Sequence, residues 1–174
     1  MLVLDSALKR ICEWRAPTLI KDPNTCAHIW YFAYGSNLDK NQMLKRIGEW
    51  KKSQRALVKG WTLTFNFPSG RWQGKAANII ETGNPKDTVC GAIYYITKKQ
   101  LENLSRFEGK GARLLEIEVE SEGSKIRAKA YVFNPDLPSG KPPEKYLERI
   151  ISGLEQHGYA EDAIAYVKRT AESS

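Results

Sequence analysis

The sequence is poor in the residues that hold metals or cross-link chains. Its 174 residues include two histidines and three cysteines. Cys12, Cys26 and Cys90 are odd in number and match no zinc or CxxC spacing, so three reduced thiols and no metal site are expected. No apolar run approaches the roughly 20 residues that a membrane-spanning helix requires. The stretch from Met1 to Arg10 meets charge too early for a secretory signal and lacks a small-residue cleavage site, which leaves the cytoplasm as the expected location. No βαβ unit with a Gly-rich phosphate loop is present, so no cofactor is expected. Neither is there a GxSxG elbow, and His28 and His157 have no setting that would make Ser36 a triad nucleophile. Repeats and low-complexity tracts are also missing.

What remains fits one α+β domain with a proper core. A hydrophobic fraction of 41% with mixed charge excludes a disordered chain. The net charge of +7 is concentrated early: residues 1–60 hold 11 Lys/Arg against 5 Asp/Glu, and the rest 16 against 15. Those cations are scattered over different predicted elements, without a helix-turn-helix, finger or RNA-binding motif. They read as a solvated basic face, and neither a nucleic-acid nor a membrane partner is expected. The pattern does not specify an oligomeric state.

Residues 1–28 read as an N-terminal extension with a short helix from Ser6 to Trp14, and residues 29–174 as the domain. Ile29–Ala33 is a buried strand. Asp39 caps a helix, with Gln42 at the capping-box position, that runs to about Lys52. Leu57, Trp61, Leu63, Phe65 and Phe67 alternate along one long strand. Residues 68–74 form a loop, and further strands are expected over 76–80, 89–96, 114–119 and 125–133, the last two joined at Glu122-Gly123. Helices from Pro143 to about His157, ended by Gly158, and from Glu161 to about Arg169 close the chain. His157 would be a favourable cation near a helix C-terminus. The sum is a curled sheet or barrel of five to six strands flanked by helices. Tyr94 and Tyr95 alternate on one strand, so one should be core and the other exposed.

One carboxylate sits on the wrong face. Thr97 and Gln100 form a capping box and Gly109 is a natural C-terminal stop, which brackets a helix of about ten residues. Leu101, Leu104 and Phe107 make its apolar stripe, and Glu108 falls in the middle of it. A core-facing carboxylate is costly unless paired or protonated. Glu108 therefore either frays to solvent or pairs with Lys110 or Arg113, or it is a desolvated acid/base. A second feature is Tyr34-Gly35-Ser36-Asn37, between a strand and a helix. Gly35 permits tight backbone, and successive amides there can form an anion-binding concavity.

Together these segments resemble the gamma-glutamylcyclotransferase family, which also includes gamma-glutamylamine cyclotransferases and plant avirulence-induced proteins. The resemblance runs through Tyr31-Phe-Ala-Tyr-Gly-Ser-Asn-Leu38, then Trp72-x-Gly74-x-Ala76, Gly91-Ala-Ile-Tyr94, Leu104-x-x-x-Glu108-Gly109, and Tyr146, Gly153 and Gly158. It implies a barrel flanked by helices and release of 5-oxoproline from a gamma-glutamyl amino acid or gamma-glutamylamine, with no metal. It also implies Glu108 as general acid/base, and Tyr31, Phe32, Ala33, Tyr34, Gly35, Ser36, Asn37, Trp72 and Tyr146 as substrate-binding residues. Pocket walls are expected from loops 68–75 and 134–142. The alternatives are a non-catalytic module of the same fold that binds a small molecule or polyanion, and an enzyme acting on another acylated amine.

Overall fold

A computed structural model describes residues 27–174. The helix expected over Ser6–Trp14, with Cys12 and Cys26, lies outside the described residues. Five strands close a barrel in the order β1 (His28–Ala33), β5 (Thr88–Thr97), β2 (Lys52–Lys59), β6 (Arg113–Ser121) and β7 (Ser124–Val132). Neighbours are antiparallel except β1 and β7, whose parallel pairing completes the closure. Strands β3 (Trp61–Ser69) and β4 (Gly74–Glu81) form a separate two-stranded ribbon. Helices α1 (Lys40–Ile47), α2 (Lys98–Ser105), α3 (Glu144–Gln156) and α4 (Glu161–Glu172) flank the sheets. The fold is α+β, as expected. No helix among the described residues is long and apolar enough to cross a membrane.

Local chemistry explains most of the boundaries. Glu122 and Gly123 both take positive φ, 50° and 76°, the backbone that a two-residue hairpin between twisted strands requires. Tyr94 is wholly buried while Tyr95 is half-exposed and stacks near His28 and Trp30. The single long strand expected from Leu57 to Phe67 is two strands. Gly60, at φ 78°, turns the chain out of the barrel and starts the ribbon. Helix α1 is also shorter than expected, because Gly48 takes φ 74° and stops it at Ile47. The Asp39 carboxylate caps α1 by accepting the Gln42 amide at 2.9 Å. The Gln42 side chain does not complete the box; it donates to Ser36 Oγ at 2.8 Å.

Helix α3 backs the segment that follows β1. Tyr146, Arg149, Gly153 and Gln156 recur at i, i+3, i+7 and i+10, one helical face. All four meet residues 35–40. The Tyr146 hydroxyl lies beside Gly35, and Arg149 pairs with Asp39 at 3.1 Å. Gly153 abuts the Leu38 backbone, and Gln156 Oε1 accepts the Lys40 amide at 2.7 Å. A Cβ on Gly153 would stand 2.4 Å from the Leu38 carbonyl carbon, so only glycine permits this approach.

Candidate active site

β1 ends at Ala33, and Ser36–Leu38 forms a single 3-10 turn before α1. Leu38 and Asp39 spend their amides on Gly35 and Ser36 carbonyls. The amides of Gly35 and Asn37 have no acceptor among the described residues, and that of Ser36 approaches the Tyr146 hydroxyl. Tyr146 accepts the Ala77 amide at 2.9 Å, which joins the ribbon to this turn.

Opposite the turn stands Glu108. The capping box at Thr97 and Gln100 is formed, yet α2 ends at Ser105, three residues earlier than the stripe pattern implied. Arg106, Phe107 and Glu108 donate to Asn103, Leu104 and Ser105, a run of i→i+3 bonds. Each such residue turns the chain by roughly 120° rather than 100°. Glu108 is thereby carried off the buried Leu101–Leu104 stripe and into a cavity of about 440 Å³. Gly109 is not a positive-φ helix stop. It is small because the Phe67 ring packs against it, where a Cβ would stand 2.0 Å from the ring. Phe107 is likewise half-exposed at the cavity rather than in the core.

The cavity brings together Glu108 with Tyr31, Tyr34, Gly35, Ser36, Asn37, Trp72 and Tyr146. Phe32 and Ala33 do not reach it. Both are buried in the core, where the Phe32 ring and the Ala33 carbonyl fill the space over Gly91. Trp72, in the turn of the ribbon, meets Tyr146 edge-on with ring centres 5.1 Å apart. Of the two loops expected as walls, residues 68–72 line the cavity and 134–142 do not. The second loop is held on the ribbon: the Gly140 amide donates to the Phe65 carbonyl, and Asn66 Nδ2 donates to the carbonyls of Asn134 and Pro135.

Asn37 is the hub of the polar network. Its Nδ2 donates to Tyr31 Oη at 2.9 Å and to Glu108 Oε1 at 3.1 Å, while its Oδ1 accepts Arg46 Nη1 at 2.6 Å. The half-buried Glu108 carboxyl has its pKa pushed up to about 6 by desolvation, which outweighs the opposing pull of Arg46, the Asn37 hydrogen bond and Arg71. Neither Lys110 nor Arg113 is its partner. Burial, and next the Glu108 charge, hold the Tyr31 and Tyr34 hydroxyls well above their usual pKa. Tyr131 is pushed up to about 12 by the same two causes. A group poised near neutrality, ringed by protonated phenols and backbone amides, can take and return one proton beside a developing oxyanion.

Sequence reading missed Arg46, Arg71, Phe107 and Tyr131. Arg46 was findable: it stands four residues after Gln42 on the helix that directly follows the turn, and both side chains reach back to it. Arg71 and Tyr131 carry no comparable local signal. The expected charge at His157 is also corrected. Burial lowers its pKa to about 4, and the ring meets the Tyr94 hydroxyl at 3.0 Å as a neutral group.

The family described as gamma-glutamyl cyclotransferase, AIG2-like, matches residues 31–154, and the chain belongs to it. A solved gamma-glutamyl cyclotransferase is 25% identical, with a TM-score of 0.74, covering 82% of this chain and 87% of that one. A human protein, loc79017, is 26% identical, with a TM-score of 0.71 over 81% of this chain and 86% of its own. YkqA of Bacillus subtilis is also 26% identical at a TM-score of 0.74; 84% of this chain spans 55% of it. No curated protein matches the chain.

Proposed function

We propose that this member of the gamma-glutamyl cyclotransferase family releases 5-oxoproline from a gamma-glutamyl compound, with Glu108 as its general acid/base. The observation that carries the reading is the Glu108 carboxyl, of raised pKa, in one cavity with the 35–37 turn. Membership of the family supports the reaction class.

The substrate holds its own nucleophile. Its α-ammonium gives a proton to Glu108, and the freed amine attacks the γ-carbonyl carbon to form the lactam C–N bond. Charge collects on the carbonyl oxygen, where the amides of the turn stabilise it. The ring nitrogen then loses a second proton as the old amide C–N bond breaks. The leaving nitrogen gains two protons in all, one of them returned by Glu108, and departs as an ammonium. Protons balance, and water is neither consumed nor released. Trp72 and Tyr146 supply an apolar wall that keeps the carboxyl desolvated.

Mass spectrometry for 5-oxoproline, across a panel of gamma-glutamyl dipeptides and gamma-glutamylamines, tests the proposal. Product from at least one class is expected. Its absence from every member of the panel would overturn the reading.

A further inference from the structure

The cavity carries more positive charge than this chemistry uses. Among the described residues, Arg46, Arg71 and Lys110 line it, against Glu108 as the single carboxylate. The guanidinium carbons of Arg46 and Arg71 lie 4.9 and 5.2 Å from the centre of the Phe107 ring. The two arginines are not equivalent. Arg46 is half-buried and bonded to Asn37 Oδ1, so it belongs to the turn that holds one end of the ligand. Arg71 is exposed in the turn of the β3–β4 ribbon and has no carboxylate within ion-pair distance among the described residues. Its neighbour Trp72 anchors that turn on Tyr146.

Glu108 has to reach both the α-ammonium and the scissile nitrogen, so the γ-glutamyl head lies between Glu108 and the turn. The part of the cavity lined by the ribbon turn and Lys110 is then left for the leaving group. We propose that Arg71, with Lys110 on the same cavity, is the specificity-determining residue of this site, binding the carboxylate of a leaving α-amino acid and selecting γ-glutamyl dipeptides over γ-glutamylamines. The inference rests on the cyclotransferase reading above.

The chemistry favours this choice on two grounds. A guanidinium presents two parallel N–H donors that match a carboxylate, and its position over the Phe107 ring reduces the freedom it must give up on binding. An amine leaving group offers no anion there, and a diamine would bring a second ammonium against Arg71 and Lys110.

The test is kcat/KM for γ-glutamyl-alanine, γ-glutamyl-ethylamide and the mono-γ-glutamyl amide of 1,4-diaminobutane, in wild type, Arg71→Gln and Arg71→Glu. Wild type is expected to prefer the dipeptide to the ethylamide by about 10- to 100-fold, the scale of a charge-assisted contact. Arg71→Gln should cut that ratio to near one, and Arg71→Glu should shift the preference to the diamine derivative. Because Arg71 is exposed, both variants should keep the wild-type melting temperature; if Arg71→Glu does not fold, the ratio in Arg71→Gln decides. A wild-type ratio near one, or one unchanged by substitution while 5-oxoproline still forms, overturns this inference alone. Absence of 5-oxoproline from every compound overturns the cyclotransferase reading and this inference with it.

Discussion

The side-chain amide of Asn37 donates to Glu108 Oε1 at 3.1 Å, joining two groups 71 residues apart in the chain. The orientation of that amide is dictated by its other neighbour. A guanidinium can only donate, so the Asn37 oxygen must face Arg46 and its NH₂ group must face Tyr31 and Glu108. Arg46 thus acts on Glu108 twice, once through its charge and once by setting the donor that steadies the ionised form.

Asn37→Ala should therefore raise the pKa of Glu108 above its present value near 6, since burial would act with less opposition. If Glu108 is the base, the acid limb of kcat/KM against pH moves upward in the variant. An acid limb at the wild-type position would remove the Asn37 contact from the tuning.

Glu108→Gln keeps the shape but cannot take a proton. Turnover should fall by roughly 100-fold or more. Stability should move the other way. The folded-state pKa is raised, so the carboxylate adds no cost below its ordinary pKa of 4.5 and an increasing cost as pH rises through about 6. At pH 7.5 that cost is at most about 2 kcal/mol, and the variant should be more stable than wild type by up to that amount, with a higher melting temperature. At pH 4 the two should coincide. A fully active variant with a lower melting temperature at pH 7.5 would leave Glu108 outside the chemistry.

Glu108 was legible because its chemistry contradicted its place in the pattern. Capping at Thr97 and the spacing of Leu101 and Leu104 defined a stripe in which a carboxylate did not belong. The reason it escapes the core was not legible. The change from i→i+4 to i→i+3 bonding over 106–108 has no mark in the apolar spacing, and the Phe67 ring that packs on Gly109 comes from a distant strand. Arg71 was hidden for the same kind of reason, since its position follows from Trp72 docking on Tyr146. The barrel was foreseeable from strand count and alternation. The split at Gly60 was not, because Leu57 shares the odd-numbered phase of Trp61, Leu63, Phe65 and Phe67, whereas the strand before Gly60 buries Ala56 and Val58 instead.

The clamp between α3 and the turn gives a further prediction. The Asp39 side chain is 2% exposed and depends on Arg149 for its countercharge. Arg149→Met leaves that carboxylate buried without its cation, and a loss of about 2–4 kcal/mol is expected by chemical denaturation. Asp39 also caps α1, so the turn should loosen and KM should rise more than kcat falls. Unchanged KM in a destabilised protein would make the pair structural only.

Gly153→Ala tests the same interface from the packing side. The added methyl has no rotamer that avoids the Leu38 backbone, so α3 must back away from the turn. A destabilisation of about 1–3 kcal/mol is expected, together with weaker binding of 5-oxoproline by calorimetry. Wild-type affinity in the variant would show that α3 does not shape the site.

The last prediction concerns His157, where α3 ends beside the same turn. Tyr94 Oη lies 3.0 Å from both the Leu38 carbonyl and His157 Nε2. The carbonyl can only accept, so the hydroxyl hydrogen goes to Leu38 and His157 donates its Nε2 proton to the Tyr94 oxygen. Protonating the ring would place a second charge near Lys40 in a desolvated position, and its pKa is lowered to about 4, burial being the larger cause. The unfolded chain binds this proton near pH 6.5, so stability is full above that pH and is lost as pH falls through about 4. Glu108 changes in the opposite sense over part of this window, which is why the comparison belongs in a Glu108→Gln background. There, the protein with His157 should lose on the order of 1–3 kcal/mol more between pH 7 and pH 4 than the same protein carrying His157→Gln. Parallel melting curves across that range would mean that the imidazole gains its proton as easily folded as unfolded, and that burial beside Lys40 does not hold it neutral.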